Sequence, residues 1–162
     1  MSGQTEQADE TTTKGAPHGI TLFDQAAITA EIAEGAKPLQ DVLKARGFTE
    51  AQWNESTIYW MQRIGDDVQE HGKDARVPIV YGEAFGKAQD ALKPAPNMDA
   101  EAYAKLVVEI QRAGGPAKPL AARGLSVADY TRLARHWARV LSSDKEQADR
   151  FAEVYEMLQV KA

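Results

Sequence analysis

The chain has 162 residues, 24 acidic against 19 basic side chains for a formal charge of −5, and no cysteine. Its length suits one ordinary domain or two very small ones, and without thiols it can carry no disulfide framework, no cysteine nucleophile and no cysteine-ligated metal centre, which fits a reducing cytoplasm. The acidic balance gives no long-range attraction to DNA, RNA or anionic lipid and favours a neutral or basic partner, while no apolar run approaches the roughly 18 residues that span a bilayer.

In chain order, residues 1–18 are rich in Ser, Thr, Gln, Glu and Gly and hold no large apolar side chain after Met1. Such a segment cannot offset its ordering entropy by burial, so a disordered tail is expected there. Met1 to Gly19 also lacks the basic start and apolar centre of a secretion signal. From Ile20 onward the apolar residues recur at helical spacing, and an all-α fold follows. One run, Val77-Pro78-Ile79-Val80-Tyr81, reads either as a short strand or as a first helical turn, where the missing N–H of Pro78 is not needed.

Set against itself, the chain repeats. Leu43-Lys44-Ala45-Arg46-Gly47-Phe48-Thr49 reads against Leu120-Ala121-Ala122-Arg123-Gly124-Leu125-Ser126, and the same register puts Trp60 on Trp137, Ile64 on Leu141 and Asp67 on Asp144. One inserted residue upstream brings Glu31-Ile32 onto Glu109-Ile110, and a loop deletion downstream brings Val80-Tyr81 onto Val154-Tyr155. Two tandem, diverged four-helix units in one compact helical domain are expected, one over 19–93 and one over 96–160.

Each unit opens with a helix, from about Leu22 to Glu34 or from about Asp99 to Ala113, followed by a short helix ending at Gly47 or Gly124. Thr49 and Ser126 are the expected N-caps of a third helix. That helix buries Trp53, Thr57, Trp60 and Ile64 in one unit and Tyr130, Ala134, Trp137 and Leu141 in the other. A fourth helix carries Val80, Ala84, Phe85 and Ala88, or Phe151, Val154, Tyr155 and Leu158. Lys93-Pro94-Ala95-Pro96 punctuates the join, since two close prolines oppose continuous helix.

Chemistry-bearing patterns are sparse. The corner before Thr49 or Ser126 has the outline of a helix-turn-helix, and a DNA-binding regulator is the alternative functional reading. The positions that would face a groove are Glu50, Gln52, Asn54 and Glu55, or Asp129, Arg132 and Arg135, where carboxylates would repel phosphate. Asp66, Asp67, Glu70, His71 and Asp74 match neither a calcium loop nor a zinc helix, and read as a solvated connection. His18, His71 and His136 lack the companions of a nucleophile, base and orienter set. Gly114-Gly115-Pro116 lacks the Lys and hydroxyl residue of a phosphate loop. No catalytic, cofactor or metal site is expected, and no enzyme.

The two copies differ most on the third helix. Ile58-Tyr59-Trp60-Met61 stands where the second copy has Arg135-His136-Trp137-Ala138, so this helix is apolar nearly all round in the first copy alone. Ile58, Tyr59 and Met61 lie off the stripe of Trp53, Thr57, Trp60 and Ile64, and their cover must come from the other copy, a second subunit or a partner. They are the expected partner-binding residues.

An apolar first helix, then Leu-x-x-Arg-Gly-Phe-Thr or Leu-Ala-Ala-Arg-Gly-Leu-Ser, then a tryptophan near the end of the third helix resembles tandem small helical repeats of uncharacterised bacterial proteins, some encoded near contractile secretion systems and polymorphic toxins. The resemblance spans most of Ile20 to Leu158 and carries no catalytic residue across. With no site for chemistry, the expected function is a cytoplasmic interaction protein, an adaptor, chaperone-like or immunity-type binder with a protein partner; charge and the lack of an apolar span argue for no nucleic acid and no membrane, and a homodimer is left open.

Overall fold

In the computed structural model, which describes residues 10–161, local capping chemistry sets the helix boundaries. After the helical residues 10–13, four helices follow one another among the described residues up to Leu92: α1 (Leu22–Glu34), α2 (Leu39–Ala45), α3 (Glu50–His71) and α4 (Val77–Leu92). Four more follow it: α5 (Ala100–Ala113), α6 (Ala117–Ala122), α7 (Val127–Ser143) and α8 (Lys145–Val160). No strand occurs among the described residues. The chain is all-α and divides into two units, Met1–Leu92 and Lys93–Ala162.

The same devices recur at matched positions in both. Gly47 and Gly124 take left-handed backbone (φ 78° and 64°), a conformation that costs a residue with a Cβ more. Across each of these glycines a doubled return bond closes the preceding helix, Phe48 N–H to Leu43 C=O and Leu125 N–H to Leu120 C=O, both at 3.0 Å. Thr49 and Ser126 then start α3 and α7 as capping boxes, exchanging bonds with Gln52 and Asp129. Arg46 pairs with Glu31 at 3.3 Å and Arg123 with Glu109 at 2.6 Å, tying each short helix to the first helix of its unit.

The cores differ. Unit 1 has two apolar clusters, Ile28 with Val42, Leu43 and Trp53, and Leu22 with Trp60 and Val77. Between those clusters in sequence, Gln25 of α1 donates through Nε2 to Thr57 Oγ1 at 2.9 Å and accepts from Ser56 Oγ at 2.8 Å. Gln25 and Ser56 are fully buried, so each bond replaces one that water would otherwise supply. In unit 2 the matched positions are Tyr103, Leu133 and Ala134, and one apolar cluster runs through Ala100, Tyr103, Leu106, Leu120, Leu133 and Trp137. There Tyr103 stacks on Trp137 at 5.4 Å.

Two sequence expectations need correction. The tail expected over 1–18 is built into unit 1 from residue 10: residues 10–13 are helical, Thr12 is buried, Ala16 packs beside Trp60, and Pro17–Gly19 makes a 3-10 turn. Residues 1–9, the rest of that segment, lie outside the described residues. Ordering is offset here by burial of Ile20 and by the Trp60 indole N–H, which donates to Ile20 C=O at 3.0 Å. Val77 to Tyr81, for which the sequence left strand and first helical turn open, is helix, with Pro78 in the first turn of α4. Asp66, Asp67, Glu70 and His71 belong to α3, which continues past its apolar stripe, and Asp74 lies in the 3-10 turn that follows. Asp67 Oδ2 accepts from the Arg76 and Val77 backbone N–H groups at 2.7 and 2.8 Å, capping α4 across ten residues of sequence.

Candidate interaction surface

The three expected partner-binding residues of α3 part company. Tyr59 is covered by its own unit. Its hydroxyl donates to Lys14 C=O at 2.8 Å, its ring meets Trp60 edge-on at 5.0 Å, and a Cβ on Gly15 would stand 2.5 Å from its oxygen. Gly15 has φ +73°, so the chain passes over Tyr59 in a backbone shape that glycine permits. Ile58 and Met61 remain in the open, 68% and 49% exposed.

Sequence reading missed a third member of this row. Val68 is 47% exposed and lies seven residues beyond Met61, two helical turns along the same face, with Gly65 between them. The spacing i, i+3, i+7, i+10 from Ile58 was available as a signal, but Val68 fell in the stretch read as a polar connection. At 1.5 Å per residue the row is about 15 Å long. Its flank is acidic: Glu55, Asp66 and Glu70 follow one side of it, all exposed, with His18 Nε2 on Glu55 Oε2 at 2.5 Å. On α7 the matched residues are Arg135, Ala138 and, at the start of α8, Lys145. His136 takes the place of Tyr59 and sits edge-on to Trp137 at 5.6 Å, as Tyr59 does to Trp60.

Several of the remaining candidates are engaged in structural contacts. Both Asp67 oxygens are engaged, Oδ2 by the start of α4 and Oδ1 by His71 Nδ1 at 2.8 Å. The Val77 backbone bond, ahead of opposing desolvation and of help from His71 and Arg76, holds the Asp67 carboxyl below its usual range. Among the described residues no three His, Asp or Glu side chains are grouped to hold a metal ion. Of the residues that a groove-reading helix would present, Arg132 is completely buried and Asp129 nearly so. Burial would raise the Asp129 carboxyl, but Ser126 backbone and hydroxyl bonds, with Lys93 and Arg132, outweigh it and lower it. Gln52 is spent on the N-cap of α3.

Compared with protein-family models, curated proteins and solved structures, the chain matches none.

Proposed function

We propose that the chain is a non-enzymatic bacterial interaction module, an adaptor, chaperone-like or immunity-type binder, and that the Ile58, Met61 and Val68 row of α3 is where it takes its partner. The observation that carries the reading is the open apolar row on one unit, where the other has Arg135, Ala138 and Lys145. Methionine and branched apolar side chains grouped on an exposed helical face are typical of interaction surfaces. A row of this length with an acidic flank suits one amphipathic helix of another protein, apolar on one face and basic beside it. The negative net charge supports the same choice of partner and disfavours nucleic acid. A cytoplasmic location, a place beside a secretion or toxin system, and descent of the two units from one duplicated ancestor belong to the same proposal. The absence of cysteine and the shared caps, glycine turns and Arg–Glu pairs support them.

The test is capture from the native host by the full chain and by a double variant, Ile58→Arg with Met61→Glu. Exposed positions away from caps and cores change stability by about 0.5 kcal/mol or less, so the variant should unfold with the wild type in urea. It should lose a protein that the wild type retains. A variant that is equally stable and keeps every captured protein removes this row from the proposal.

A further inference from the structure

Unit 1 also holds a cleft of about 440 Å³ between α1 and α4. Phe23 and Ala27 of α1 and Val80 and Ala84 of α4 supply apolar walls, and Arg76, Glu83 and Lys87 stand around them. Among the described residues neither Arg76 nor Lys87 has an ion-pair partner.

Unit 2 shows what the arginine is suited to hold. In the repeat register Phe23 falls on Glu101, Ala27 on Lys105, Arg76 on Arg150 and Ala84 on Leu158. Arg150 Nη2 donates to Glu101 Oε2 at 2.9 Å, and Lys105 Nζ donates to Oε1 of the same carboxylate at 3.0 Å. Unit 1 keeps the arginine but replaces its carboxylate with a half-exposed phenylalanine and the lysine with alanine. The exchange of leucine for Ala84 leaves room beside it. The carboxylate that closes this place in unit 2 is thus missing from unit 1, and an apolar space has opened next to its cation.

We propose that the α1–α4 cleft binds a small organic monocarboxylate with an apolar body. The carboxylate pairs with Arg76 as Glu101 pairs with Arg150, and the hydrocarbon part lies against Phe23, Ala27, Val80 and Ala84. Charge complementarity selects the class: Arg76 and Lys87 against Glu83 leave one net positive charge, which matches a single carboxylate. The volume falls in the range of small-ligand sites, roughly 300–1,000 Å³. This site is independent of the α3 row and of the partner proposed for it.

The test is a titration of the full chain with octanoate, followed residue by residue in amide NMR spectra, with octanol as the uncharged control. Saturable shifts are expected around Phe23, Ala27, Arg76, Val80 and Ala84, with octanol weaker by about tenfold or more, the scale of one charge-assisted hydrogen bond. Arg76→Gln should weaken octanoate by a similar factor. Phe23→Glu, which restores the pairing of unit 2 and substitutes an exposed side chain, should abolish binding while the remaining spectrum stays that of the folded protein. No saturable octanoate binding, shifts mapping elsewhere, octanol binding as tightly as octanoate, or affinity unchanged by Arg76→Gln would each overturn the proposal.

Discussion

Trp60 and Trp137 occupy matched positions and are both buried, yet they are held by different physics. Trp60 satisfies its indole N–H on the Ile20 carbonyl, whereas the buried Trp137 Nε1 has no hydrogen-bond partner among the described residues and its ring is held by stacking on Tyr103. Substituting phenylalanine should therefore separate them. Trp60→Phe removes a donor and strands a buried carbonyl, which costs about 1–3 kcal/mol beyond the lost volume. Trp137→Phe strands nothing, so its penalty should be the smaller, with urea midpoints as the readout. A larger loss for Trp137→Phe would show that the indole bond to Ile20 contributes little. The Gln25, Ser56 and Thr57 group follows the same logic, since removing one partner leaves the others buried without a bond.

At the scale of elements, the fourth helix of each unit begins on an aspartate at matched positions in the repeat. Asp144 immediately precedes α8 and accepts from Gln147 N–H at 3.2 Å, whereas Asp67 reaches α4 from the last turns of α3. The extra residues of unit 1 lengthen α3 and form the 3-10 turn before α4, while an aspartate cap is kept. Asp67→Ala should cost about 1–2 kcal/mol, the usual value of an N-cap, measured by denaturant unfolding at neutral pH. Because the folded carboxyl titrates below its unfolded value, its contribution is complete above about pH 4 and is lost as pH falls through the folded pKa. Glu109, lowered mainly by its bond to Arg123, acts in the same direction. The difference between wild type and Asp67→Ala should accordingly shrink on acidification below about pH 4. A penalty that stays constant down to pH 2 would mean that the carboxylate charge plays no part in the cap. Helix existence, the glycine turns and the Thr49 and Ser126 caps were legible because each depends on residues within one or two turns. The Asp67 cap was not, because its donors lie nine and ten residues away and become neighbours only once α3 and α4 pack. Residues 10–18 were misread for a related reason: their composition is polar, but Thr12 and Ala16 gain their cover from the rest of the unit. Ile58 and Met61 were legible as residues left over from a stripe, and Tyr59 was not, since only the path of Lys14 and Gly15 covers it.

At the scale of the whole molecule, negative charge and the burial of Asp129 and Arg132 bear on which polymers the chain can meet. Non-specific duplex binding rests on released counterions from several Lys or Arg contacts, and no such cluster is presented by α3. A gel-shift titration with duplex DNA at micromolar protein and near-physiological salt should show no complex. A shift that weakens steeply with added salt would restore the regulator reading. The proposed capture of a protein by the open row of α3 can be read from a photoreactive side chain placed at Met61 and, separately, at Ala138, its counterpart on α7. After irradiation in the native host, the Met61 position should crosslink to a discrete protein, and the Ala138 position should not. Crosslinks of equal pattern from both positions, or none from Met61 while the chain is folded, would contradict it.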